Sequence, residues 1–384
     1  MSEKDESRIA EQVRHQVSRL FAPDALRGLI IVFMALDHAN LFVAHKHSPG
    51  EIWDGVFPVY YDVLAFLTRL VTHLAAPGFF FLMGAGMLLF AHSRQKHDWG
   101  RWAIMRHFLI RGGVLIALQL LVVNRAWELP PEGWEIKIYF GVLCALGSTM
   151  ILGSLLLWLK PAYLLVLAAI LFVGIELTHP GLGMWGTVSH DPVSVILLRP
   201  GGDVNLWAYY SILPWLELVV FGMVFGHWLA DDPRKAFSRA WKLGLACLLA
   251  FVVVRYLDGF GNIRPRMSNS WIDFLNPVKY PPSMTFTLMT TGVNLLLLWL
   301  FSRASERVQR FLQPLAVFGR TPLFFYVLHL FLYAGIGYAL APDGTSIPVM
   351  YPFWLLGLLI LFPLCLWYGR LKHRQPVNSV LHFL

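Results

Sequence analysis

The chain is poor in charge. Of its 384 residues 14% are charged and 57% hydrophobic, whereas a soluble domain carries roughly 25% charged residues. That deficit excludes an ordinary water-exposed shell. Cysteine is scarce as well: Cys144, Cys247 and Cys365 lie inside apolar runs with no CxxC spacing, which excludes a disulfide framework and a metal knuckle. Neither a G-x-S-x-G nor a P-loop is present, so that type of hydrolysis and ATP use are not indicated. Met1–Leu20 is polar and lacks an apolar core. No cleavable signal peptide is therefore expected, and the first membrane helix should act as its own insertion signal. There is no repeat of 20–50 residues, no low-complexity tract and no linker long enough to separate two domains.

What is present is a series of long apolar runs, at roughly 25–45, 62–91, 103–124, 137–159, 162–178, 208–230, 241–258, 283–302, 315–340 and 350–370. Runs of about 18 or more apolar residues mark transmembrane helices, so the fold class expected is an all-α, polytopic bundle of about ten helices. The second run is long, and Pro77-Gly78 should kink or divide it. Residues 1–21 form a cytoplasmic segment ahead of a single transmembrane domain, 22–384. In that segment Ile9, Val13, Val17 and Leu20 recur at three-to-four-residue spacing, the pattern of an amphipathic helix on the membrane surface; a frayed polar tail is the alternative.

Loop charge sets the orientation. The loops after even-numbered runs carry Arg94, Lys96 and Arg101, then Lys160, then Arg234, Lys235, Arg239 and Lys242 in the third pair's position, then Arg303, Arg307 and Arg310. The tail adds Arg370, Lys372 and Arg374. By the positive-inside rule these loops and both termini are cytoplasmic. The net charge of +8 thus reflects topology, and no nucleic-acid partner is expected. One outer loop, 255–282, breaks the pattern with Arg255, Arg264, Arg266 and Lys279, which makes it a candidate binding surface.

Ionisable residues inside a membrane are few and usually line a cavity or pair with one another. Arg27 and His38 are eleven residues apart on the first helix, ~1100° at 100° per residue, so they share a face with ~16 Å between them. His45 continues that face. Arg69 and His73, four apart, share a face of the second run. Arg111 lies deep in the third beside Gly112-Gly113. Arg320 and His329 both fall in the ninth run, pointing oppositely in a straight helix; a distortion at Pro322 would be needed for both to see one cavity. Arg27, Arg106 and Arg320 are also placed to be snorkelling anchors, and a lone intramembrane histidine often serves as an interhelical hydrogen-bonder. His38, His45 and His47 offer nitrogen ligands, but carboxylates nearby are few and no metal is expected.

Arginine suits phosphates, and histidine takes a proton from a hydroxyl or amine near neutral pH. A tunnel with arginines at its inner end and a base further out fits an enzyme that moves an acyl group from cytoplasmic acyl-CoA to an acceptor outside. It equally fits a transporter of an anionic solute or lipid precursor, although no inverted repeat of the kind many transporters carry is visible.

Several ordered motifs sharpen this reading. Phe21, Pro23, Asp24, Leu26, Arg27, Gly28 and Leu29, running on to Leu36-Asp37-His38, resemble the opening of the heparan-α-glucosaminide N-acetyltransferase catalytic-domain family. Thr72-His73-Leu74-Ala75-Ala76-Pro77-Gly78-Phe79 through Gly84 resembles the second-helix motif of its bacterial branch. Lys279-Tyr280-Pro281-Pro282-Ser283, and Phe318-Gly319-Arg320-Thr321-Pro322 with Tyr326 and His329, resemble later motifs of that branch. Arg27, ten residues, then His38 is also the spacing of the wider transmembrane O-acyltransferases, which use that histidine. The lysosomal member has Asn at the position matching His38 and a catalytic histidine in the following outer loop; His47-Ser48 with Trp53-Asp54-Gly55 resembles that stretch, with altered spacing and Asp for Asn.

The resemblance implies acetyl-CoA or another acyl-CoA as donor and an amino or hydroxyl group of a sugar or glycolipid as acceptor. It further implies a bacterial inner-membrane location, and a homodimer is compatible with it. His38 or His47, with Asp37 adjacent, would be the general base or a transient acyl carrier. Arg27, Arg111, Arg320, Arg69 and His73 would serve the donor, and Lys279, Tyr280, Ser283 and His329 the acceptor.

Overall fold

A computed structural model describes residues 20–47, 50–55, 57–129, 135–179 and 191–375. Of the segment 1–21 in which a surface helix is expected, residues 1–19 lie outside the described residues, and Phe21 already opens the first described helix. Twelve helices carry the architecture: α1 Phe21–Ala39, α2 Val63–Thr72, α3 Ala75–Gln95, α4 Arg101–Leu118, α5 Val142–Leu156, α6 Pro161–Thr178, α7 Ile212–Asp231, α8 Pro233–Leu257, α9 Met284–Ser302, α10 Gln313–Arg320, α11 Pro322–Leu340 and α12 Ile347–Arg374. Among the described residues nine helical stretches are long and apolar enough to cross a membrane. The protein is an all-α polytopic membrane protein.

The fourth expected run, 137–159, yields only the 15-residue α5, which falls short of that length. Strand pairing shows that it nevertheless traverses the bundle. β1 (Ile138–Phe140), just before α5, pairs in parallel with β3 (Leu206–Ala208), which lies beyond α6; β2 (Gly201–Gly202) completes the small sheet. Arg199 also donates to the carbonyl of Thr178 at the end of α6. The chain therefore leaves this end along α5 and returns along α6.

The loops assigned to the outside gather at this same end. Ile52 bridges Tyr280, Trp53 Nε1 donates to Pro200 O, Arg264 Nη1 donates to Gly55 O, and Thr345 N donates to Ala44 O. At the opposite end Arg320 reaches Asp24, and the Arg101 guanidinium lies over the Trp158 ring. The start of α1 and the end of α12 both lie at this basic end, as an even number of crossings requires.

Prolines set two breaks. The second run divides at His73-Leu74, one turn ahead of the expected Pro77-Gly78, because a helical proline lacks an N–H and its ring crowds the carbonyl four residues earlier. For Pro77 that carbonyl belongs to His73. The ninth run divides at Thr321, whose φ of −126° and ψ of 46° end α10; the following Pro322 restricts it and starts α11. A single helix over 315–340 is thereby corrected to two.

In lipid, helices associate through close packing rather than through a hydrophobic driving force, and small residues allow it. A Cβ on Gly28 would sit 1.8 Å from Leu315 O, and one on Gly319 would sit 1.9 Å from Asp24 O. Each helix of the α1–α10 pair thus rests on the other's glycine. Gly84 and Gly222 do the same for α3 and α7, each with a hypothetical Cβ 2.0 Å from the other helix's carbonyl. These contacts fix where the polar side chains of α1 and α10 converge.

Candidate functional site

At the basic end, the first turn of α1 carries Asp24, whose carboxylate is almost wholly buried. Its Oδ1 accepts from Arg27 Nη1 at 3.1 Å, and its Oδ2 accepts from Arg320 Nε at 3.3 Å. Arg27 Nη1 also donates to Gly319 O at 3.0 Å, a contact that the glycine-on-glycine approach of α1 and α10 makes possible. Asp24 therefore aims two arginines from two helices. Arg111, from α4, and Arg370 and Lys372, from α12, line the same mouth. Arg111 Nε is buried without a hydrogen-bond partner among the described residues.

These five cations open onto a cavity of about 1360 Å³ that also reaches the loops of the other end. His38 lines it some 16 Å along α1 from Arg27. Its Nδ1 lies 2.6 Å from Nε2 of His329, which is fully buried on α11. Just beyond His38, α1 widens into a π-helical turn, Asn40–Ala44, and α4 does likewise at Gln119–Val123; such turns are frequent at functional sites. Trp127, after the second of these, meets the His38 ring edge-on at 5.5 Å.

The far end is a charged network. Arg69 donates from Nε and Nη2 to the two oxygens of Glu51 at 2.8 and 2.6 Å, and from Nη1 to Asp37 Oδ1 at 2.6 Å. Thr72 Oγ1 donates to the same Asp37 oxygen. His47 Nε2 stands 3.2 Å from Arg69 Nη1 and 3.4 Å from Asp37 Oδ2. The backbone N–H groups of Lys279 and Tyr280 both donate to Glu51 O, tying the 45–55 loop to the 276–283 loop. Burial alone would raise the Glu51 carboxyl, but the Arg69 guanidinium holds it well below the usual range. Burial, and then Arg69, pushes the Lys279 ammonium down to about 8.

A sequence model described as heparan-alpha-glucosaminide N-acetyltransferase, catalytic, matches residues 19–256. The chain belongs to that family. A second model, described as OpgC protein, matches residues 203–373. The mouse protein named heparan-alpha-glucosaminide N-acetyltransferase is 27% identical over 146 residues, 38% of this chain and 20% of the mouse protein. The chain thus matches about a fifth of that relative's length.

The cavity draws on both matched regions. Arg27, His38, Arg69 and Arg111 lie in the segment matching the heparan-alpha-glucosaminide N-acetyltransferase family, while Lys279, Arg320 and His329 lie beyond residue 256, within the OpgC-like segment. Of the residues singled out from sequence, Arg27, Arg111 and Arg320 come together at the basic mouth. Asp37, His38, His47, Arg69, Lys279 and Tyr280 line the remainder. Arg69, grouped with the donor residues, stands instead at the far end within the Glu51–Asp37 network. His73 is buried behind it with Nε2 3.3 Å from Glu51 Oε1 and does not line the cavity. Ser283 is buried too, capping α9 through Phe286 N. His329, grouped with the acceptor residues, sits behind His38 with Nε2 2.6 Å from its Nδ1. The break at Thr321 is what allows Arg320 to reach the mouth while His329 backs His38.

Sequence reasoning passed over Asp24, Glu51, Arg370 and Lys372. Asp24 precedes Arg27 by three residues, the spacing of helical ion pairs, and that signal was available. Arg370 and Lys372 served only as topology charges. Glu51 offered nothing beyond being one of few acids in its loop.

Proposed function

We propose that this protein is a membrane-embedded acyltransferase, acting between acyl-CoA bound at the basic mouth and an amino or hydroxyl group of a sugar or glycolipid that enters from the opposite end. The observation that carries this reading is the single cavity joining a five-cation mouth to His38 and the far loops. A ~16 Å separation along α1 matches the reach of a phosphopantetheine arm laid from the arginines toward the histidine. Arg111 Nε, buried and without a hydrogen-bond partner among the described residues, is a donor suited to an anion such as a CoA phosphate. Acetyl is the acyl group favoured by the activity in the family's name, and a bacterial inner membrane is the proposed setting.

His38 is proposed as general base. Its ring lines the cavity and Nδ1 is engaged by His329, which leaves Nε2 toward the acceptor. The acceptor O–H or N–H proton passes to Nε2 as the heteroatom attacks the thioester carbonyl. The carbon–sulfur bond then breaks, and the departing CoA thiolate takes the proton from His38. His47 is less suited. Its Nε2 is held in the charged network, 3.2 Å from Arg69 Nη1 and 3.4 Å from Asp37 Oδ2, rather than left for an acceptor. Lys279 and Tyr280, beside aromatic Trp207 and Tyr209 on the cavity wall, are proposed to hold the acceptor.

The test is transfer of label from radiolabelled acetyl-CoA to a panel of glycans by the purified protein in lipid nanodiscs. His38→Ala should lower transfer by about 10²–10⁴-fold, the contribution of a general base, with CoA binding retained. His47→Ala should keep most activity. Loss at His47 with activity retained at His38 moves the chemistry to the loop. Parent rates in both variants end the histidine mechanism. An absence of transfer across the panel, together with uptake of an anionic solute into proteoliposomes, supports a transporter instead.

A further inference from the structure

The orientation of the His38 base has a physical cause that lies outside its own helix. His329 Nδ1 is 3.1 Å from the carbonyl oxygen of Phe325, one turn earlier on α11. A carbonyl accepts only, so this nitrogen carries the hydrogen. In the neutral ring Nε2 of His329 is then a lone pair, and it faces His38 Nδ1 at 2.6 Å. That in turn requires the hydrogen on Nδ1 of His38, which leaves Nε2 unprotonated. The direction of donation is fixed link by link: His38 Nδ1 to His329 Nε2, and His329 Nδ1 to Phe325 O.

Carboxylates are the usual orienters of a catalytic histidine, and Asp37 is the adjacent residue. Its carboxylate, however, is turned to Arg69, Thr72 and His47. The His329 ring is held in place by Phe325, stacked at 5.3 Å, and by Tyr326 and Tyr333 at 5.5 and 6.4 Å. Such a wall keeps the imidazole from turning and swapping its nitrogens.

We propose that His329 is a positioning residue that fixes the His38 tautomer through a neutral histidine–histidine hydrogen bond, leaving the Nε2 lone pair of His38 toward the cavity. A neutral orienter does this without placing a second negative charge in the spanning region, where an uncompensated charge is costly. The role in catalysis rests on the acyl-transfer reading above; the tautomer does not depend on it.

The two are separated by measuring both. Solid-state nitrogen NMR of histidine-labelled protein in liposomes reports which ring nitrogen is protonated, with the His38 signals assigned by their disappearance in His38→Gln. In the parent, His38 should show a protonated Nδ1 and a bare Nε2. His329→Leu should convert much of His38 to the opposite tautomer and lower kcat by about 10²-fold, the lower range of a general base's contribution, with KM for acetyl-CoA changed less than about twofold. His329→Gln places an amide oxygen near the former Nε2 and should restore both the tautomer and most of kcat. A parent His38 carrying its hydrogen on Nε2, or an unchanged tautomer in His329→Leu, overturns the proposal. If the leucine variant does not fold, the parent spectrum and the glutamine variant still decide it. A correct tautomer in a protein that transfers no acyl group would leave the positioning intact and refute the acyltransferase reading instead.

Discussion

Arg69 and Glu51 form a two-point ion pair, Nε to Oε1 at 2.8 Å and Nη2 to Oε2 at 2.6 Å, with both side chains buried. The pair joins α2 to the loop that carries His47, and the backbone of Glu51 joins that loop in turn to Lys279 and Tyr280. Removing one partner of a buried pair strands a charge and costs about 3–5 kcal/mol, whereas replacing both can be nearly neutral. Glu51→Ala leaves Arg69 paired with Asp37 and should lower thermal stability in detergent, whereas Arg69→Met strands both Glu51 and Asp37 and should lower it more. Because Asp37 still lacks its arginine in Glu51→Ala with Arg69→Met, that double variant should recover only part of the loss. Because folded Glu51 titrates below its unfolded value of ~4.3, the pair's stabilisation is present at neutral pH and is lost as pH falls below that value toward the folded pKa. A single variant as stable as the parent would contradict this account.

The spans and the α1 face were legible from sequence because apolar length and a 100° helical repeat are local properties. Arg27 and His38 do line one cavity. The short α5 and the break at His73-Leu74 were less legible, since both depend on where the chain meets neighbouring helices and loops. The His38–His329 contact spans 291 residues, and no spacing rule reaches across that distance. His329 read from sequence as an acceptor residue because a histidine near mid-helix has no visible partner until α11 is placed beside α1. Arg370 and Lys372 illustrate a different difficulty: basic residues at a helix end satisfy the positive-inside rule, and that sufficient explanation hid their place at the cavity mouth.

Two glycines give a contrast in packing. A Cβ on Gly319 would meet the Asp24 carbonyl, while one on Gly113 meets nothing within 4 Å. Gly319→Ala should push α10 from α1 and destabilise the protein by about 1–3 kcal/mol or more. Gly113→Ala should be neutral or stabilising by up to ~1 kcal/mol, since alanine favours a helix interior. Melting temperatures of the two variants in the same detergent compare them directly, and equal melting temperatures would refute the close approach.

Lys279 should be unusually reactive. Its ammonium is pushed down to about 8 by burial and by Arg69, and its side chain lines the cavity. A lowered pKa means the neutral, nucleophilic amine is present at lower pH than for an ordinary lysine of ~10.4. Competitive labelling with a small amine-reactive reagent, read by mass spectrometry, should give half-maximal reactivity of Lys279 near pH 8. A midpoint in the ordinary lysine range would show that its surroundings do not disfavour the charge.

The basic mouth tests the donor site. Charge-assisted contacts to phosphate are worth about 1.5–3 kcal/mol each, so Arg27→Ala, Arg111→Ala and Arg320→Ala should each weaken CoA binding by about one to two orders of magnitude. Arg234 is exposed at the start of α8 and does not line the cavity, so Arg234→Ala should change little. Asp24→Asn adds a distinct expectation. It keeps both arginines but removes the charge that aligns them, so affinity should fall even though no cation is lost. Calorimetric titration with CoA measures all five. If the three cavity arginines match Arg234, their function is to anchor helix ends in the interface, and a CoA site at this mouth is refuted. If they weaken binding while Asp24→Asn does not, the cations act as a diffuse positive field rather than as a site arranged by Asp24.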